Sequence, residues 1–189
     1  MTIEQAKHLA KKTLTPRRYR HTKNVAAAAR ALAQRWGVNP AKAELAGWLH
    51  DIVKEYTRGE LLQLLGQDGI MAGLTAQRPA PIWHGPCGAI YARYTLGVED
   101  ADILDAIACH TTGRRGMTTM DKVLFLADAT SAERSFDGVE DIRTLSQTDL
   151  DAAVLAAMEN NVAYLEAKGK KLDTETLDAI AALKEAVRA

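Results

Sequence analysis

An excess of charge of one sign is the first thing this chain lacks. Lys plus Arg and Asp plus Glu both total 24, so the formal net charge is zero. That balance removes the global field a nucleic-acid or anionic-membrane protein uses, and any anion binding has to be local. Cysteine is scarce as well: Cys87 and Cys109 form neither a disulfide framework nor a zinc-ribbon spacing, which fits a reducing compartment. No apolar run reaches the roughly 20 residues that span a bilayer. The segment Met1 to Lys12 is polar and has no apolar signal core. These absences predict a cytoplasmic protein that binds neither nucleic acid nor membrane.

Runs of β-branched residues are also missing, and no segment reads as a strand. Alanine and leucine recur every three or four positions instead, the period of amphipathic helices. The expectation is an all-α fold in one domain spanning all 189 residues. Thr15-Pro16 and Asn39-Pro40 read as N-cap and first helical residue. The first opens a helix running to Trp36 and ended by Gly37; the second opens the helix that carries His50-Asp51. Thr57 and Glu60 have capping-box spacing for a short helix to Leu65. Gly66 to Pro81 is expected to be the longest loop region, with one helical turn inside it. Further helices are predicted over Trp83–Leu96, Asp100–Thr112, Thr118–Arg134, Thr148–Lys168 and Thr174–Val187. The motifs lie in a core of about residues 16–136, with the helices of 148–188 packing on it. In those last two helices Val154, Leu155, Met158, Val162 and Leu165 read as plain packing positions.

Against this apolar background stand His21, the pair His50-Asp51, His84, His110 and Asp128, each read as a metal-binding side chain inside an apolar helical stretch. Burying so many imidazoles and carboxylates is costly unless a cation holds them together. Their spacing, about one helix and its return, lets antiparallel helices each project a ligand into a shared centre. Four imidazoles and two carboxylates exceed the needs of a tetrahedral structural zinc, so two ions bridged by a carboxylate is the better count. Lys54, three and four positions after the pair, shares its helical face and would meet a substrate phosphate. Arg17, Arg18 and Arg20 form a basic cluster, read either as a solvated helix start or as phosphate recruitment. His8 reads as solvated, and Cys87 and Cys109 as buried packing residues. Trp36, Trp48 and Trp83 read as helix anchors, with Trp83, beside His84, the candidate for stacking on a nucleoside.

Set in Arg20-His21-Thr22, Leu49-His50-Asp51-Ile52-Val53-Lys54, Trp83-His84-Gly85, His110-Thr111-Thr112-Gly113 and Asp121 to Asp128, these residues resemble the HD-domain phosphohydrolases. Within them they most resemble the YqeK-like family of symmetrical diadenosine tetraphosphate hydrolases, over about Tyr19 to Arg134. The resemblance implies an all-helical HD-domain bundle whose ligands converge on a dinuclear site, often of iron. Its implied ligands are His21, His50, Asp51, His84, His110 and Asp128, with Asp51 as bridge and, beside Lys54, a catalytic residue. Arg20, His21, Lys54, His84, His110, Thr111 and Arg134 become the substrate contacts. The implied reaction is symmetrical hydrolysis of diadenosine tetraphosphate, or a similar dinucleoside polyphosphate, to two ADP by a metal-bound hydroxide. Two divalent or mixed-valence transition ions are expected; iron is favoured by the resemblance alone, and the donor set equally suits manganese, zinc or cobalt.

One segment departs from the pattern. After the final aspartate the family commonly has an aromatic residue and a Glu-Pro pair before the arginine, whereas this chain reads Ala129-Thr130-Ser131-Ala132-Glu133-Arg134. The departure leaves open another HD-type nucleotidase or phosphodiesterase activity, or a catalytically silent nucleotide-sensing regulator. A homodimer joined through an apolar helix face is a further expectation.

Overall fold

Polar caps decide where most of the helices begin. The computed structural model describes residues 1–69, 73 and 75–188, among which the regular elements are all helical. They are α1 (Ile3–Thr13), α2 (Pro16–Arg35), α3 (Pro40–Leu49), α4 (Arg58–Leu65), a 3-10 turn (Ala80–Ile82), α5 (His84–Tyr94), α6 (Ala101–Cys109), α7 (Thr119–Thr130), α8 (Val139–Leu145), α9 (Leu150–Ala167) and α10 (Thr174–Arg188). Thr15 and Asn39 cap α2 and α3 with proline next in line, as expected. Thr57 and Glu60 close a capping box on α4. The helical turn expected within Gly66–Pro81 falls partly on residues 70–72 and 74, outside the described residues.

Two helices were not anticipated. The first, α1, has its own capping box, Thr2 with Gln5, and buries Ala6 and Ala10. An alanine stripe among lysines hides only methyl groups, so its periodicity is faint. The second, α8, is a single short segment that starts after Gly138, whose φ of 89° few other residues adopt. Two predicted helices are shorter than expected, α6 ending at Cys109 and α7 at Thr130.

Close approach of small residues sets how the ligand-bearing helices meet. A Cβ on Gly47 would lie 2.6 Å from Ala26 Cα, so α2 and α3 cross nearly backbone to backbone. A Cβ on Gly85 would lie 2.7 Å from the Ala108 carbonyl oxygen, so α5 and α6 do the same. The first crossing brings His21 to His50, and the second brings His84 to His110. Helix α7 packs against α2, α3 and α6 and buries Val123, Leu124, Leu126 and Ala127 completely. Helix α9 lies on α7 and α8, and α10 lies on α9.

Candidate metal centre

Three of the four histidines sit at helix ends rather than inside helical stretches. His50 and His110 are the C-cap residues of α3 and α6, and His84 is the first residue of α5. Each uses Nδ1–H in the same way, donating to the carbonyl three residues earlier. The acceptors are Gly47 at 2.7 Å, Ile107 at 2.7 Å and Pro81 at 2.9 Å. Gly47 and Ile107 belong to last helical turns, whose carbonyls lack a full set of intrahelical partners. Only His21 and Asp128 are held within helices, α2 and α7.

Tying Nδ1 outward turns every Nε2 inward. His21 Nε2 is 3.3 Å from His50 Nε2, and His84 Nε2 is 3.1 Å from His110 Nε2. Asp51 spans the two pairs. Its Oδ2 lies 3.8 Å from His21 and 3.7 Å from His50, while its Oδ1 lies 3.3 Å from His84 and 3.7 Å from His110. Asp128 Oδ1 adds a further oxygen 3.2 Å from His21 Nε2. The six residues expected as ligands therefore converge, and in two overlapping sets joined by one carboxylate.

The electrostatics suit a cation. Burial pushes the fully buried His50 down to about 4 and His84 well below the ordinary imidazole value, so both are neutral near pH 7. Asp51 works against its own burial, but His50, His110 and Lys54 together hold it well below the usual carboxylate range. Burial likewise opposes charge on Asp128, yet His21, His50 and Arg134 keep it ionised. His21 is the exception among the imidazoles: burial lowers it, and Asp128, Glu133 and Asp51 outweigh that and raise it. Asp51 Oδ1 is buried without a hydrogen-bond partner, a costly state for a carboxylate oxygen. Imidazole Nε2 atoms facing one another beside an unsatisfied carboxylate oxygen are a donor set that fits divalent transition ions.

Cationic and hydroxyl groups surround the cluster. The chain leaves α-geometry at Leu49 and continues in tight turns, with Ile52, Lys54 and Tyr56 N–H donating to carbonyls three residues back. Lys54 is thus carried by that turn and not by a helix face, but its ammonium still stands 3.8 Å from Asp51 Oδ1 and 2.8 Å from His84 Nε2. Thr111 Oγ1 is 3.0 Å from His84 Nε2 and 3.1 Å from His110 Nε2. Arg134 donates to Asp128 Oδ1 at 2.6 Å. Thr112 turns away and accepts from Arg78.

Of the basic cluster at the start of α2, one arginine reaches the centre. Arg20 is exposed, and it is Arg18, two residues earlier, that donates to Asp51 Oδ2 at 3.0 Å. Two residues are about 200° on a helix, so only one of the pair can face the centre. Glu55 fixes that face by accepting from Thr15 N–H and Oγ1 at the start of α2. Trp83 does not line the site either: it is buried and donates through Nε1 to the Arg78 carbonyl, with Arg58 stacked on its ring.

The segment after Asp128 engages the centre by its own means. Glu133 accepts from His21 Nδ1, and from Asn24 Nδ2 at 2.6 Å and Ser131 Oγ at 2.8 Å. Arg143 of α8 donates to the carbonyls of Thr130, Ser131 and Arg134, clamping the loop that carries both Glu133 and Arg134. Neither Glu133 nor Arg143 stood out in the sequence. A carboxylate just beyond a ligand-bearing helix was the only available signal.

Beside the cluster opens a cavity of about 430 Å³ whose near wall includes Lys54, His110, Thr111, Asp128 and Arg134. Helices that focus imidazoles and carboxylates beneath a cationic cleft define a class of all-α hydrolytic metal domain. Residues 18–133 match the HD domain family, and the chain belongs to it. Among similar proteins, the "Bis(5'-nucleosyl)-tetraphosphatase, symmetrical" of Bacillus subtilis is 38% identical over 93% of this chain and 94% of its own length. A protein of the same name from Staphylococcus aureus is 36% identical over 95% of this chain and 93% of its own. A crystal structure from Clostridium acetobutylicum, described as a predicted HD superfamily hydrolase involved in NAD metabolism, superposes with a TM-score of 0.93. It is 29% identical, with 98% of each chain covered.

Proposed function

We propose that this chain hydrolyses dinucleoside polyphosphates symmetrically, with diadenosine tetraphosphate giving two ADP. The observation that carries the reading is the inward convergence of four Nε2 atoms and the orphaned Asp51 Oδ1 at the edge of a cavity lined by Lys54, Thr111 and Arg134. The names of the Bacillus and Staphylococcus relatives support the substrate class.

In this reading His21, His50, Asp51 and Asp128 would hold one ion, and Asp51, His84 and His110 would hold a second. Ions bound there would supply a nucleophile at neutral pH and offset charge on phosphoryl oxygens. The chain's own groups do the rest. Lys54 and Arg134, lining the cavity, draw the tetraphosphate in and neutralise charge that spreads over the transferred phosphoryl group. Thr111 donates its hydroxyl to a phosphate oxygen. Arg18 holds Asp51 at Oδ2 from the side opposite Lys54, so the carboxylate keeps its spanning orientation. Glu133 fixes the His21 tautomer that presents Nε2. Among HD-type activities, phosphoanhydride cleavage is favoured over release of phosphate from a mononucleotide by the relatives' names. Engagement of both Glu133 and Arg134 with the centre supports an active enzyme over a silent sensor.

Both cysteines are free and buried, and no described helix is long and apolar enough to cross a membrane, which supports a cytoplasmic setting. Elemental analysis of freshly purified protein, joined to chromatography of products from diadenosine tetraphosphate and AMP, tests the proposal. Bound transition metal and two ADP per dinucleotide are expected. Adenosine plus phosphate from AMP, with the dinucleotide untouched, would replace the reading with a nucleotidase.

A further inference from the structure

Arg78 ties helix α10 to the loops that flank the metal centre. Its guanidinium donates through Nε and Nη2 to both oxygens of Asp173, at 2.9 and 2.7 Å, and through Nη2 to Thr112 Oγ1 at 3.2 Å. Nη1 stands 3.0 Å from Glu175. Asp173 in turn caps α10, accepting from the Glu175 N–H at 3.1 Å, so the far end of the pair is fixed to a helix start. The Arg78 carbonyl is used as well, accepting from Trp83 Nε1 at 3.0 Å. One residue therefore joins three segments: the turn that leads into His84, the loop that follows His110, and the start of α10.

Stability alone is a poor account of this pair. The Arg78 and Asp173 side chains are only 15% and 5% exposed, and an ion pair so far from water recovers in attraction little more than desolvation costs. What a planar fork supplies is direction, because a guanidinium satisfies acceptors on separate segments only when they hold fixed relative positions. The loop it directs is the one that carries Thr111, whose Oγ1 lies 3.0 Å from His84 Nε2 and 3.1 Å from His110 Nε2. Beneath that loop, a Cβ on Gly113 would collide with the Met158 methyl of α9 and meet Ala179 Cβ of α10 at 3.4 Å. Among the described residues the Arg78 side chain makes no hydrogen bond or ion pair to α2, α3 or α7, the elements that hold His21, His50 and Asp128.

We propose that Arg78 is a positioning residue for the His84–His110 half of the centre, holding Thr112 and Trp83 in register so that Thr111 and the two imidazoles meet Asp51. The role rests on the reading of the cluster as a two-ion hydrolytic centre, and it gives α10 a part in the site. Loss of the fork frees the loop of Thr111 and the turn before His84 together, while His21, His50 and Asp128 keep their places on packed helices. The consequence is asymmetric: binding weakens at one ion position and not at the other.

Calorimetric titration of the metal-free protein with Mn²⁺, and hydrogen exchange of the same metal-free protein, test it. The variants are Arg78→Ala, Arg78→Lys, Thr112→Val, the Arg78→Ala/Thr112→Val pair and His84→Ala, each checked for folding by thermal melting. Wild type is expected to bind Mn²⁺ in two classes of site. Arg78→Ala should weaken by about tenfold the class that His84→Ala abolishes, and leave the other within about twofold. Arg78→Lys should not restore it, because an ammonium cannot span Asp173 and Thr112 as the fork does. Thr112→Val removes the acceptor, should weaken the same class by about threefold, and should add nothing once Arg78 is alanine. Exchange over residues 110–116 should quicken by about tenfold in Arg78→Ala, with residues 21–35 unchanged. A single class in wild type, equal weakening of both classes, or classes and exchange all within twofold of wild type would overturn the role; Thr112→Val decides alone if Arg78→Ala does not fold. Neither readout needs turnover. Symmetrical hydrolysis of diadenosine tetraphosphate without the asymmetric Mn²⁺ effect removes only the positioning role, and the asymmetric effect in a protein that cleaves no dinucleotide keeps the role and removes the hydrolase reading.

Discussion

Replacing Glu133 with alanine isolates the contribution of the divergent loop to the metal centre. The carboxylate accepts from His21 Nδ1, so it selects the tautomer whose Nε2 faces Asp51, Asp128 and His50. The partners Asn24 and Ser131 hold the carboxylate in turn, and with His21 they bring its pKa down to about 2 despite partial burial. Removing groups of this kind lowers metal affinity or activity by about 10- to 100-fold. The Glu133 side chain is 33% exposed, so water screens part of its charge; the expected loss is the lower part of that range, about 10- to 30-fold, or ~1.4–2 kcal/mol. Glu133→Gln retains an acceptor oxygen and should lose about fivefold or less. Asn24→Ala removes one hydrogen bond to the carboxylate and should cost about two- to tenfold in the wild-type background, and nothing once Glu133 is gone. Competition titration of the metal-free proteins with Mn²⁺ against a chromophoric chelator measures all four, including the double variant. A Glu133→Ala protein within twofold of wild type, or an Asn24→Ala effect undiminished in the double variant, would refute the argument.

Asp51→Ala removes the carboxylate that lies within 3.3–3.8 Å of all four histidines, so turnover should fall by at least about 100- to 1000-fold while the helical circular dichroism is kept; near-normal activity sinks the bridging role. Arg143→Ala deletes three hydrogen bonds to the loop carbonyls, and differential scanning calorimetry should register a loss of about 2 kcal/mol, roughly 4–8 °C in Tm. Arg143→Lys should not restore it, because an ammonium lacks the guanidinium fork; an unchanged Tm in the alanine variant would remove the clamp. Gly47→Ala sets a methyl against the α2 backbone, and overpacking of about 1–3 kcal/mol outweighs the gain of up to about 1 kcal/mol in helix propensity. Chemical denaturation should show a net loss, and a stabilised variant would contradict the close crossing. Burial pushes Cys87 up to about 12 and Cys109 up as well, which favours the neutral, unreactive thiol at pH 8. Ellman's reagent should leave the native protein unmodified and titrate both thiols in denaturant; rapid labelling of the folded protein would count against their burial.

That these six side chains would come together was foreshadowed in the sequence by residue type and by resemblance. His50, Asp51, His110 and Asp128 are polar in stretches that otherwise pack, and a buried group of that kind needs a partner whatever the fold; His21, among Arg20, Thr22, Lys23 and Asn24, gives no such contrast. The α2, α3 and α4 starts were legible for a similar reason, since Thr15, Asn39 and Thr57 act on backbone groups two or three residues away. Helix α1 was missed because burial of Ala6 and Ala10 leaves little hydropathic contrast. The ends of α6 and α7 were overextended because a polar residue such as Thr111 or Glu133 is acceptable in either a helix or a loop.

What sequence alone determined about this protein, then, is what local chemistry controls: an all-helical chain, where several helices start, and which buried polar side chains are candidates to share a site. Tertiary structure decided which of Arg18 and Arg20 reaches Asp51, that Glu133 and Arg143 brace the centre, that Trp83 is structural, and that Arg78 joins the loop after His110 to α10. Each of those facts depends on the rotation of one helix against another, set at contacts such as Gly47 on Ala26 and Gly85 on Ala108. A contact between residues far apart in the chain leaves no mark in the period or composition of either segment, so it can be read only once the helices are packed.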